Sequence, residues 1–125
     1  MAATSFPVLT PLADIEIVDT AAANTAVTNA SASSGTCSLY YVEVDNTANS
    51  STTYLKMVRA ASATPSSTGP DTILSAPAST VAYFAFPTAM DQLYITYWAT
   101  STAANGTSQT SPSNAVTVRF LCKNS

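Results

Sequence analysis

The sequence predicts an all-β fold: an antiparallel β-sandwich, jelly-roll or Ig-like, with an extended N-terminal arm. Three observations predict it. Several short stretches alternate apolar and polar side chains with a period of two, the spacing that sends successive residues to opposite faces of a sheet. Clusters of Ser, Thr, Asn and Pro separate those stretches and read as turns, and no segment keeps a helical period. Nearly half of the 125 residues are Ala, Ser or Thr, which suits strands joined by polar connections.

Taken in order, residues 1–35 read as the arm and 36–125 as the sandwich body. Pro7 and Pro11 oppose a regular central strand, and the Ala/Thr/Ser/Asn tract 21–35 has few large apolar groups to offset the entropy of ordering it. Between them Ile15 and Ile17 alternate with Asp14 and Glu16, giving one short amphipathic strand over 12–19, read either as part of the arm or as the first strand of the sandwich behind a loose leader. The clearest strand is 37–46. Its face bearing Ser38, Tyr40, Val42 and Val44 is the expected core face, with Cys37, Leu39, Tyr41 and Glu43 opposite. Asp45 and Asn46 end it, and a Ser/Thr/Asn turn leads to a second strand over 54–60, so the pair reads as a β-hairpin. Within 54–60, Leu55 and Met57 face inward and Lys56 is expected to reach water.

Residues 61–71 form a connection rich in Ser, Thr, Pro and Gly, and Ile73 with Leu74 marks a short strand before Pro77. The next strand, 80–86, groups Ala82, Phe84 and Phe86, and Pro87 is expected to close it. Over 92–100, Leu93, Ile95, Tyr97 and Ala99 share one face, and Tyr94, Thr96 and Trp98 the other. Apolar groups on both faces predict a strand covered twice, by the second sheet and by a neighbouring subunit. Residues 101–114 make a polar loop long enough to suggest a functional or mobile segment. The last strand, 115–122, alternates regularly, with Val116, Val118, Phe120 and Cys122 inside and Thr117, Arg119 and Leu121 outside.

Composition restricts function. Seven acids face four bases, for a net charge of −3, and Lys56, Arg59, Arg119 and Lys123 are too scattered to neutralise a run of phosphates, so nucleic acid is not an expected partner. The N-terminal residues lack a basic start and an apolar run, and no stretch approaches about 20 apolar residues, so cytosolic synthesis without export or membrane insertion is expected. Without histidine there is no Ser-His or Cys-His pair, and two distant cysteines make no zinc site. No phosphate loop, nucleophile elbow or dinucleotide fingerprint is present, so neither an enzyme nor a cofactor is expected. Glu43, Asp71 and Asp91 are read as solubilising carboxylates. The tyrosines at 40, 41, 94 and 97 with Trp98 would suit a sugar-stacking platform, but aromatic residues of a sandwich more often serve core or interface. Cys37 and Cys122 fall at one end of the sheet if the first and last body strands are neighbours. A disulfide is then sterically open to them, and the alternative is a pair of buried thiols. Three Asn-x-Ser/Thr triplets, at Asn29, Asn49 and Asn105, would bear on modification only in an exported chain.

The segments Val42-Glu43-Val44-Asp45-Asn46 and Tyr54-Leu55-Lys56-Met57-Val58-Arg59-Ala60-Ala61-Ser62, then Ala76-Pro77-Ala78 and Ser111-Pro112-Ser113-Asn114-Ala115-Val116-Thr117-Val118, resemble small β-sandwich proteins from the virions of tailed bacteriophages. These phrases mark strand entries and exits rather than chemistry. The resemblance implies a non-enzymatic virion structural protein, made in the host cytoplasm and carried on the capsid surface as a decoration or cement protein. Its implied partners are the major capsid protein and copies of itself in a symmetric homo-oligomeric assembly. A tail, neck or fibre component is the alternative, and a receptor- or glycan-binding module a further one. The arm, roughly 100 Å long if fully extended, is expected to add as a strand to a neighbour's sheet edge. Leu12, Ile15, Ile17 and Val18, with Tyr94 and Trp98 on the body, are the candidate interaction residues.

Overall fold

The computed structural model describes residues 15–29, 37–60, 62–92, 95–100 and 103–124. Among the described residues eight strands follow one another without a helix: β1 (Ile15–Ala22), β2 (Val27–Asn29), β3 (Cys37–Asp45), β4 (Thr53–Val58), β5 (Thr72–Ala76), β6 (Val81–Gln92), β7 (Ile95–Thr100) and β8 (Val116–Asn124). They form two four-stranded sheets, ordered β1-β8-β3-β6 and β2-β7-β4-β5, and every pairing is antiparallel. This order is that of an eight-stranded jelly roll. It is not the Ig-like order, in which the sheets split as A-B-E-D and C-F-G.

The two inner faces supply one core. Leu39, Val42 and Val44 of β3 and Val116, Val118, Phe120 and Cys122 of β8 face Leu55, Met57, Ala76, Tyr97 and Ala99 of the other sheet. Tyr97 and Phe120 join the sheets, their ring centroids 4.7 Å apart and tilted by 49°. The alternation read for β8 holds throughout: Val116, Val118, Phe120 and Cys122 are all buried.

Four expectations are corrected. Strands β3 and β4 are not a hairpin: β3 pairs with β6 and β8, β4 with β5 and β7. The segment between them is a corner that carries the chain from one sheet to the other, turned by Asn46, whose side chain is buried. Strand β3 also carries a register shift between Leu39 and Tyr41, so strict alternation fails there. Leu39, rather than Ser38 and Tyr40, joins Val42 and Val44 in the core. A bulge lets the aliphatic Leu39 be buried at the cost of one irregular ladder step. Pro87 does not close its strand, because β6 runs on to Gln92. Its register jumps from Tyr41↔Ala85 to Leu39↔Met90, leaving Pro87 in a bulge of an edge strand, where a missing N–H is tolerated.

The fourth correction concerns the arm. β1 pairs with β8 from Ile15↔Cys122 to Ala22↔Val116, and β2, which its composition did not announce, pairs with β7. Ile15 and Ile17 pack on the core and Ala22 belongs to it. Residues 15–29 therefore complete both sheets rather than forming a separate arm. The strand that was too weak to stand alone is ordered by the far end of its own chain.

Candidate functional site

The two outer faces differ. On the first sheet, register aligns Val18, Arg119, Glu43 and Tyr83 in one row and Glu16, Leu121, Tyr41 and Ala85 in the next. This face is open: Tyr83 is 64% and Val18 44% exposed. Arg119 reaches along it to Glu16, Nη1 donating to Oε1 at 2.7 Å. The Tyr41 hydroxyl donates to Glu43 Oε2 at 3.2 Å, and the Tyr41 and Tyr83 rings lie 6.4 Å apart. Desolvation, with the Glu43 carboxylate alongside, raises the Tyr41 pKa above the usual phenol value.

On the second sheet, register aligns Trp98, Lys56 and Ile73, yet Lys56 is 0% and Trp98 1% exposed. Lys56 therefore does not reach water. Its ammonium donates to the backbone carbonyls of Asn105 at 3.0 Å, Gly106 at 3.1 Å and Ser108. Burial draws its pKa below the ordinary lysine value. Residues 96–100 of β7 are all buried within the single chain, on both faces of the strand as expected, and beside them the 103–114 loop bonds Lys56 of β4.

A third cluster closes one end of the sandwich. Asn46 Nδ2 donates to the carbonyls of Ser51, Ala76 and Pro77 at 2.9–3.1 Å, while its Oδ1 accepts from Asn49 Nδ2 at 3.0 Å and Thr53 Oγ1 at 2.8 Å. Asn49 in turn exchanges bonds with the backbone of Asn114. Three connections are thereby fixed at one end of the sandwich, by asparagines that the sequence offered only as turn residues. Asn49 is buried with its amide bonded, so in the folded protein its role is structural.

Of the candidate interaction residues, Val18 is exposed on the first sheet, Ile15 and Ile17 are partly buried against the core, and Trp98 is buried beside Lys56. Leu12 and Tyr94 lie outside the described residues. Tyr97 is a core residue, so no platform joins it to Trp98 and the tyrosines of β3. Cys122 is buried and stands opposite Leu39, and Cys37 opposite Asn124. The two cysteine positions are thus offset by two residues rather than directly opposed, and the Cys37 side chain lies outside the described residues. Alternation alone did not single out Tyr83 and Arg119; their partners across β3 place them on one face.

No protein-family model matches the chain, and neither a curated protein nor a solved structure matches it.

Proposed function

We propose that the protein is a non-enzymatic structural component of a tailed-phage virion, a capsid decoration or cement protein that binds the major capsid protein and stabilises the shell. The observation that carries this reading is the unequal treatment of the two outer faces of a jelly roll. On one face Lys56 and Trp98 are buried, with Lys56 bonded to the chain's own loop and Ile73 left 40% exposed at the edge strand; the other keeps Tyr83 at 64%, Val18 at 44% and Arg119 open across three strands. Aromatic and arginine side chains are the types enriched at interface anchors, and jelly rolls recur in viral capsid domains. Fold alone does not fix function; the sequence resemblance supplies the choice among jelly-roll roles.

The docking route differs from strand donation by residues 12–18. Ile15 to Val18 already pair with β8, so the capsid contact is assigned to the open face of the first sheet, burying about 800 Å² per partner as in a standard interface. Repetition over a symmetric lattice multiplies a modest contact into strong retention.

Purified particles test this by copy number and by substitution. A decoration protein is present in hundreds of copies, and its loss lowers the temperature at which particles release DNA; a tail part is present in tens or fewer. Tyr83→Lys and Val18→Lys should abolish coating of undecorated shells while leaving the thermal midpoint of the isolated protein unchanged. Undiminished coating by the double variant would reject this face as the contact.

A further inference from the structure

We propose that residues 103–114 are a strap that opens as a unit from the outer face of the second sheet, latched by the Lys56 ammonium, and that its opening uncovers Trp98. The ammonium's three donors match three carbonyls, those of Asn105, Gly106 and Ser108. The strap holds no large apolar side chain, and residues 104–111 and 113 are exposed apart from the half-buried Pro112 beside them. Trp98, paired in register with Lys56 and 1% exposed, lies on the face that the strap's carbonyls close over Lys56, and the latch is polar.

The ends of the strap are fixed separately from its middle. Thr100 Oγ1 donates to Ala103 O at 3.0 Å. Asn114 N donates to Asn49 Oδ1 and Asn114 Nδ2 to Ala48 O, both at 2.8 Å. These anchors lie in the sandwich end; the middle is held by the Lys56 bonds and by Asn24 N–H donating to Ser111 Oγ at 3.4 Å, so it lifts by releasing those while both ends stay attached.

The closed state is also imperfect. Trp98 Nε1 is buried with no hydrogen-bond partner among the described residues, an arrangement that carries a desolvation cost, and Lys56 is buried as well. Opening hydrates both groups, which offsets the loss of the Lys56 bonds, and it leaves the core of the sandwich intact, so it is cheaper than unfolding the sandwich. Segments with few buried apolar contacts open sub-globally in this way.

Trp98 is the sole tryptophan, so its fluorescence and its indole proton report the strap directly. In the wild-type protein the indole proton should exchange at least a hundredfold faster than the Phe120 amide in the core. Lys56→Met keeps the apolar stem without donors and should raise the acrylamide quenching constant at least threefold and red-shift the emission, with Phe120 amide protection unchanged. Lys56→Ala should show the same exposure and be returned toward wild type by n-propylammonium, which replaces the missing stem and ammonium. Indole exchange at the core's rate, or unchanged quenching in folded Lys56→Met, would overturn the proposal, as would failure of propylammonium to restore protection in Lys56→Ala.

Discussion

At the scale of single residues, the polar side chains with the largest consequences are buried ones. Asn46 satisfies three backbone carbonyls with one amide, so Asn46→Leu leaves all three without that donor inside the corner. We expect a loss of about 2–4 kcal/mol, read from urea unfolding. Tyr97 behaves differently. Desolvation first, then the charge and hydrogen bond of Asp19, raise its pKa above the usual phenol value. The folded protein keeps this proton above about pH 10, where the unfolded chain releases it, so stability falls as pH climbs through that range. Tyr97→Phe should flatten that alkaline slope in denaturation curves collected between pH 9 and 11. The exposed Arg119–Glu16 pair counts for little by comparison: Glu16→Gln should shift stability by less than about 1 kcal/mol.

At the scale of elements, β1 decides how the N-terminal segment is understood. It covers the edge of β8 and contributes Ile15, Ile17 and Ala22 to the core. A chain truncated to begin after residue 22 should lose at least about 3 kcal/mol, from apolar burial alone, and fail to give the sharp near-UV circular dichroism of a packed protein. A truncation that folded with full stability would restore the separate-arm reading. The sequence exposed β8 fully and β6 in part, because each face of those strands meets one kind of surroundings. It misread β3 and β4 for different reasons. In β3 a bulge shifts the alternation by one residue, and in β4 the outward face is buried by residues some fifty positions away, as the Lys56 bonds to Asn105 and Gly106 record.

At the scale of the whole molecule, the jelly roll joins the ends of the described chain: Glu16 and Arg119 are 103 positions apart and bonded across neighbouring strands. Few of its pairings are local, since among the described residues β4 with β5 is the one sheet pairing between consecutive strands. High contact order of this kind predicts folding on the millisecond-to-second scale, which stopped-flow Trp98 fluorescence measures. Microsecond refolding would contradict the topology. The same long-range closure buries Lys56 and Trp98 on one sheet face and leaves Val18 and Tyr83 exposed on the other, and the proposed capsid contact depends on that difference.

By itself the sequence determined that the chain is all-β, which residues of β8 point inward, and that β7 is covered twice, because two-residue alternation is a local property of the strand. Only the tertiary structure decided which strands are neighbours, that Asn46 turns a corner between sheets, and that Lys56 lies under a loop instead of in water. Those outcomes depend on which distant backbone groups supply the hydrogen-bond partners, and no spacing within a strand encodes that choice.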